Sequence, residues 1–444
     1  MPKRILYFAL LAPLHAQEPL SLRDAVRLAV AHNKSIEAAK AGTRAAAAHR
    51  MEARSGWLPK LNYSESLTRS DNPVFVFSSL LTQHQFGERN FAIPALNQPN
   101  ALNNFQSQLN LDQVIYDAGQ ARHAERSAQL LESVSGEDAR RTEQTVIAAV
   151  VRAYYAAVLS AESLAAAREA VRSAEADLKR AEAVRAAGMS TDVDVLSIRV
   201  HLAAVTEQQI SRAADLDVAR SALNEVLGQP LDTAYTLTTA LAPAPPVQDS
   251  LEEYERRAIE HRPEAHQAEL AAGLAETQAA AARSSLLPQI GLHAAIEEDR
   301  QTFASRAGGN WLAAVSLRWN VFNGFGDKAR IDGARYLVER SQAEQQRAGS
   351  AIRLDVRRSW AGLRAATQRI EVARAAVDQA RESLRITQNR YAAGLNTVTD
   401  LLRNETAVLE AKTRYLAAIN DQRVAAAWLQ LAAGTLSADS EVLN

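Results

Sequence analysis

The stretch NWLAAVSLRWNVF, residues 310–322, alternates in polarity. Trp311, Ala313, Val315, Leu317, Trp319 and Val321 fall on one face. Asn310, Ala314, Ser316, Arg318 and Asn320 fall on the other, with Leu312 the exception. A period of two marks a β-strand with unlike faces. Trp311 and Trp319 are eight residues apart, about 26 Å along a strand at ~3.3 Å per residue. With strand tilt, that spacing fits two aromatic belts flanking an apolar band about 25 Å tall.

Three other segments read the same way: PKLNYSESLTR (59–69), FQSQLNLDQVIY (105–116) and PQIGLHAAIE (288–297). Together they make two β-hairpins, 58–116 and 288–322, and Tyr63, Tyr116 and Phe322 join the two tryptophans as candidate membrane-interface aromatics. Four strands cannot close on themselves. In lipid an open edge leaves backbone groups unpaired at several kcal/mol each, and closed barrels start near eight strands. Two copies would give eight strands and three would give twelve; the residues alone do not choose.

A duplication frames these hairpins. RAAGMSTDVDVL (185–196) returns 206 residues later as YAAGLNTVTDLL (391–402). Gly188 pairs with Gly394, Thr191 with Thr397, Asp194 with Asp400, and Gly228 with Gly434 at the same offset. Upstream, ARSGWLPKL (53–61) matches ARSSLLPQI (282–290) at an offset of 229, so the first half carries 23 extra residues between Pro59 and Val114. The proline-bearing FAIPALNQPNALNNF lies there and reads as an enlarged loop. Each half has one order: helix, strand, loop, strand, long helix, turn, helix. The expected divisions are a leader at 1–16, a first repeat at 17–227, a linker or small extended patch at 228–250, a second repeat at 251–436 and a tail at 437–444.

No proline interrupts 120–185 or 327–391. Val356, Leu363, Ile370, Val377, Leu384 and Tyr391 recur every seven residues, with small residues such as Ala366, Ala373 and Ala380 three positions on. Val150, Ala157, Leu164, Val171 and Leu178 repeat the scheme. This is a heptad seam of large and small residues. A helix of roughly 65 residues is about 100 Å long and must pack on other rods, first on the helix returning after each turn.

Composition bounds the function classes. The net charge of −1 gives no sign of a nucleic-acid partner. The absence of cysteine removes disulfides, thiolate metal sites, Cys nucleophiles and a lipidated Cys. The start, MPKRILYFALLAPLHAQEP, has the basic-then-apolar order of a secretory leader. No later segment reads as the ~20 apolar residues of a membrane helix. GFGDKA (324–329) resembles a loose dinucleotide fingerprint, but its repeat copy AGQARH lacks the two glycines. His261 and His266 are five apart, so they do not share a helical face. No nucleophile–base set, metal site or cofactor site can be argued, and no enzyme is expected.

The chain resembles the TolC-like outer-membrane efflux proteins. The resemblance rests on LSLRDAVRLAVAHNKSIEAAK (20–40), the Leu-Pro before each first strand, YDAG (116–119), FNGFG (322–326) and the two AAG…D turns, in duplicated order over almost the whole chain. It implies a mainly α fold with a membrane β part: long helical hairpins forming a periplasmic tunnel, and a homotrimer sharing one twelve-stranded barrel. It implies a passive exit duct in outer-membrane lipid that docks on a periplasmic adaptor and an inner-membrane transporter. The tips, with Gly188, Thr191, Gly394 and Thr397, would dock the adaptor. Asp192, Asp194, Asp400 and Arg403 would line the tunnel entrance. Some relatives carry a second acid where Arg403 stands, so Arg403 is expected to pair with Asp192 or Asp194 of a neighbouring copy. The alternatives left open are the exit duct of a type I protein secretion system and a soluble periplasmic scaffold or adaptor.

Overall fold

The computed structural model describes residues 18–189, 191–246 and 249–443; the expected leader at 1–16 lies outside them. In chain order the elements are β1 (Glu18–Leu20), α1 (Leu22–His32), α2 (Lys34–Arg54), β2 (Lys60–Ser70), α3 (Pro73–Thr82), α4 (Ile93–Asn97), β3 (Leu102–Tyr116), α5 (Gln120–Ala186), α6 (Asp192–Leu227), β4 (Tyr235–Leu237), α7 (Leu251–His261), α8 (Pro263–Ser284), β5 (Gln289–Arg300), β6 (Gly308–Arg318), α9 (Gly326–Ala392) and α10 (Val398–Ala432). The first helix of each half is thus two helices. Ser21 and Ser250 cap α1 and α7 by accepting from the N–H groups of Asp24 and Glu253, and the chain turns extended at Asn33 and Arg262. Those two breaks stand 229 residues apart, the offset of the upstream duplication.

The chain divides into two compact units. Among the described residues, one comprises 18–41, 136–267 and 346–443. Its main core surrounds Ile147, Val150, Val151, Tyr154 and Tyr155 of α5, covered by Leu22, Val26 and Ala29 of α1 and Leu223 and Leu227 of α6. The heptad seam is the buried stripe: Val150, Ala157, Leu164, Val356, Leu363, Ile370 and Val377 are all buried. One 18-residue window of α5 reaches a mean hydropathy of 1.3, which corrects the reading that nothing after the leader is apolar enough to span a membrane. Half of that window is buried, as a core helix requires.

Tyr154 ties the short elements to this core. Its hydroxyl donates to the Leu20 carbonyl at 2.8 Å and accepts from the Thr239 N–H at 3.0 Å. The linker is therefore held, and its β4 pairs in parallel with β1. The C-terminal stretch is also not a loose tail: Leu436 and Leu443 are buried in the same core.

The second unit comprises 42–135 and 268–345. It holds one antiparallel four-stranded sheet in the order β2-β3-β5-β6. Thr43 on α2 donates to the Ser135 carbonyl on α5, and Arg50 pairs with Glu132 at 3.1 Å. Two readings of this region need correction. The 23-residue surplus is not only loop, because it contains α3 and α4. Asn72 caps α3 by accepting from the N–H groups of Val74 and Phe75, and Pro73 and Pro94 occupy first-turn positions. Proline there starts a helix rather than breaking one. In the second hairpin β6 ends at Arg318, opposite Gln289, the first residue of β5. Pro288, which precedes it, has no N–H to continue the ladder, so Trp319 and Phe322 lie past the strand.

Candidate functional site

The register sorts every strand residue onto a face. Leu61, Leu111, Ala294 and Ala313 form one row across the sheet, and Tyr63, Leu109, Ile296 and Trp311 form the next. Val315 and Leu317 continue this apolar face, and Trp311, Val315 and Leu317 are 80%, 68% and 63% exposed. Nothing in the unit covers it. The opposite face carries Asn62, Ser64, Gln106, Gln108, Asn110, His293 and Ser316, with His293 Nδ1 2.8 Å from Asp112 Oδ1. Tyr63 and Trp311 share one level of the apolar face. Tyr116 lies opposite Ile290 toward the other end, after a bulge at 114–116. Trp319 turns its indole N–H to the Leu286 carbonyl at 3.0 Å, and Phe322 stacks edge-on against Phe325. Beyond the Tyr63–Trp311 level the same face becomes polar, where Glu65, Ser107, Glu298 and Arg300 form one linked cluster.

The two duplicated turns have one geometry. Gly188 and Gly394 have φ of +74° and +73°, the left-handed conformation that ends a helix. Met189 donates to the Val184 carbonyl and Leu395 to that of Arg390, closing matching terminal loops. Thr191 then caps α6 and Thr397 caps α10, each reciprocated by the acid three residues on, Asp194 or Asp400. The Thr397 hydroxyl and N–H hold the Asp400 carboxyl below its usual range, and the Arg403 charge adds to this. Asp192 accepts from Arg185 of its own chain at 3.1 Å. Asp192 and Asp194 therefore both have partners within the chain. The tips pack side by side through Ala181, Val195, Ile198 and Val398, with Tyr391 and Leu402 against them. Between α6 and α10 an open groove is lined by Val193, Leu196, Val200, Leu402, Arg403 and Glu410.

One cluster escaped the sequence. Asp177 on α5, His201 on α6 and Glu405 on α10 meet beside a cavity of about 230 Å³ that Ser173, His201 and Glu405 line. Ser173 donates to Glu405 at 3.1 Å, and His201 Nε2 is 3.5 Å from the other Glu405 oxygen. Asp177 is 7% exposed, and its Oδ2 has no hydrogen-bond partner. Burial first, and then the Glu405 carboxylate, push the Asp177 carboxyl up to about 7. Burial opposes ionisation of Glu405 too, but hydrogen bonds with His201, Asp177 and Ser173 outweigh it and hold that carboxyl low. Among the described residues no group of three or more His, Asp or Glu is placed to hold a metal ion. Asp177 stands beside the seam residue Leu178, where a heptad plot expects solvent; the packing of three helices buries it.

Comparison with known proteins resolves what this architecture is. A family model described as outer membrane efflux protein matches residues 25–229 and 256–435, both halves of the duplication. The chain belongs to the outer membrane efflux protein family. Its relatives include protein CyaE of Bordetella pertussis, 29% identical over 72% of this chain and 69% of that protein. Another is the alkaline protease secretion protein AprF of Pseudomonas aeruginosa, 25% identical over 96% of this chain and 86% of that one. Among solved structures, the Campylobacter jejuni CmeC outer membrane channel superposes with a TM-score of 0.79 over 95% of this chain and 87% of that chain, at 16% identity. The efflux-protein fold accounts for both units: helical hairpins of an α-barrel and a sheet belonging to a β-barrel. The chain is an outer-membrane exit duct with a periplasmic helical domain.

Proposed function

We propose that this chain works as a homotrimeric exit duct of a tripartite efflux pump, passing cargo delivered by an inner-membrane transporter and a periplasmic adaptor, with no reaction of its own. The observation that carries the reading is the sheet. It has one uncovered apolar face, one polar face, and two edge strands, β2 and β6, without strand partners on their outer sides among the described residues. Such edges are costly in lipid, and rotation about a three-fold axis joins each β6 to a neighbour's β2 and closes twelve strands. The aromatics Tyr63, Trp311, Tyr116, Trp319 and Phe322 then stand at the two interfaces. The tips carry the docking role. Their grooves expose Val193 and Val200, 69% and 72% accessible, with Arg403 and Glu410 at the margin. That pattern suits an adaptor hairpin laying an apolar stripe between α6 and α10.

Purified protein in detergent should run as a trimer and give discrete conductance steps in planar bilayers. A monomeric, water-soluble product that needs no detergent would end this reading. For docking, Gly188→Pro and Gly394→Pro force φ to about −65° where the turns need positive values, so each should abolish crosslinking of the tips to the co-expressed adaptor while the trimer persists. Full crosslinking in both variants would remove the tips from the docking role. The likeness to AprF across 96% of the chain favours a second reading, in which the cargo is a secreted protein. Deleting the chain's gene and measuring protein and small-molecule export separately distinguishes the two.

A further inference from the structure

The surplus segment of the first half lies on the lumen side of the sheet. β2 leaves the helical region at Lys60, so Ser70, Leu102, Arg300 and Gly308 mark the outer rim. α3 starts beside β2 and packs on β3, β5 and β6. Its ten residues span about 15 Å at ~1.5 Å each, which matches the roughly 14 Å from the first to the fourth strand at ~4.8 Å spacing. α3 therefore crosses the whole sheet at that rim. Its anchors are all on the polar face. The Gln83 amide donates to Asn104 Oδ1 at 2.8 Å, and Asn104 donates to Asp299 Oδ1 at 2.6 Å. Asn310 donates to the Thr82 carbonyl, and a Cβ on Gly308 would overlap that same oxygen.

The helix has two faces. Val76, Ser79 and Gln83 are buried against the sheet. Val74, Phe77 and Leu81, one helical face away, are exposed, and Phe77 continues through Phe86 to Phe91 in edge-on contacts of 4.9 and 5.1 Å. An exposed Val-Phe-Leu stripe pointing into a polar lumen is out of place unless something meets it. Twelve strands ~4.8 Å apart and tilted about 40° close on a backbone radius of about 12 Å. A helix is about 10 Å across. Three copies of α3, each against its own third of the wall, converge on the axis.

We propose that the Val74–Phe77–Leu81 faces of three α3 helices meet on the barrel axis and plug the outer mouth, so that each copy's apolar stripe is covered by the other two. This rests on the trimeric duct reading. The plug is an apolar constriction of the kind that excludes ions by dewetting, distinct from the tunnel entrance expected at the helix tips. The latch itself runs through two amides and a carboxylate, Gln83 to Asn104 to Asp299, all buried at the rim.

The chain has no cysteine, which makes introduced thiols unique. Phe77→Cys in the assembled protein should form a disulfide-linked pair of subunits under mild oxidation, while Val315→Cys on the lipid face should not. A second measurement does not depend on the tips. Ser316→Cys lies in the lumen below α3, and a charged, membrane-impermeant maleimide added outside intact cells should label it slowly; adding Phe77→Ser with Leu81→Ser should speed labelling about tenfold by wetting the seal. An intact trimer with no Phe77→Cys crosslink, or with a labelling rate unchanged by the serines, overturns the plug and leaves the duct standing. A chain that never forms a trimer overturns both.

Discussion

Gly228 and Gly434, 206 residues apart, have φ of +70° and +71°. A Cβ on Gly228 would stand 2.5 Å from the His32 carbonyl oxygen, and one on Gly434 would stand 2.8 Å from Arg262 Cα. Each glycine lets the end of a hairpin sit against the break between the two opening helices of its own half. Both neighbours are backbone and cannot swing away. Gly228→Ala and Gly434→Ala combine a left-handed penalty with overlap, and each should cost about 2 kcal/mol or more. The heat-dissociation midpoint of the trimer would register it; an unchanged midpoint for both would show that the breaks can yield. Gly136, with open space around its Cβ position, is the control expected to tolerate alanine.

At the scale of the element, the long helices are held by a mainly apolar seam that also buries the carboxyl of Asp177. This carboxyl faces Arg180 on α5, His201 on α6, Tyr391 on α9 and Glu405 on α10. Its raised value means that between pH 3.8 and about 7 the folded chain keeps a proton that the unfolded chain gives up. The stability contributed by Asp177 therefore falls as pH rises through that window and is flat above it. Glu405, held low, contributes in the opposite sense, with its share lost as the medium is acidified. Asp177→Asn should raise the dissociation midpoint at pH 8 and raise it less at pH 5. Equal shifts at both pH values would mean that Asp177 is ionised throughout.

At the scale of the whole molecule, the two faces of the sheet should respond differently to charge. Val315 lies between Trp311 and Leu317 on the apolar face, and Ser316 lies on the opposite, polar face. Val315→Arg places a charge in the middle of the lipid band and should cost about 2–4 kcal/mol per chain, seen as loss of assembled trimer from the outer membrane. Ser316→Arg should cost within about 0.5 kcal/mol. Equal losses would argue that the apolar face is covered by protein rather than by lipid.

The sequence by itself determined what depends on period and on local backbone chemistry. Alternation separates the two faces of 310–318; the seven-residue repeat sets the buried stripe of α5 and α9; Gly188 with Thr191, and Gly394 with Thr397, stop one helix and start the next. These patterns are carried by a few consecutive residues and need no distant partner. Tertiary structure alone decided the rest. Prolines in the surplus segment suggested a loop, yet Pro73 and Pro94 open helices, and only contacts with Asn104, Asp299 and Gly308 set α3 against the lumen face. Leu443 looks like part of a free tail until the core around Tyr154 encloses it. Asp177 reads as a solvated charge until α6 and α10 exclude water from it. In each case the deciding quantity is which surfaces, far apart in the chain, come together and dry one another.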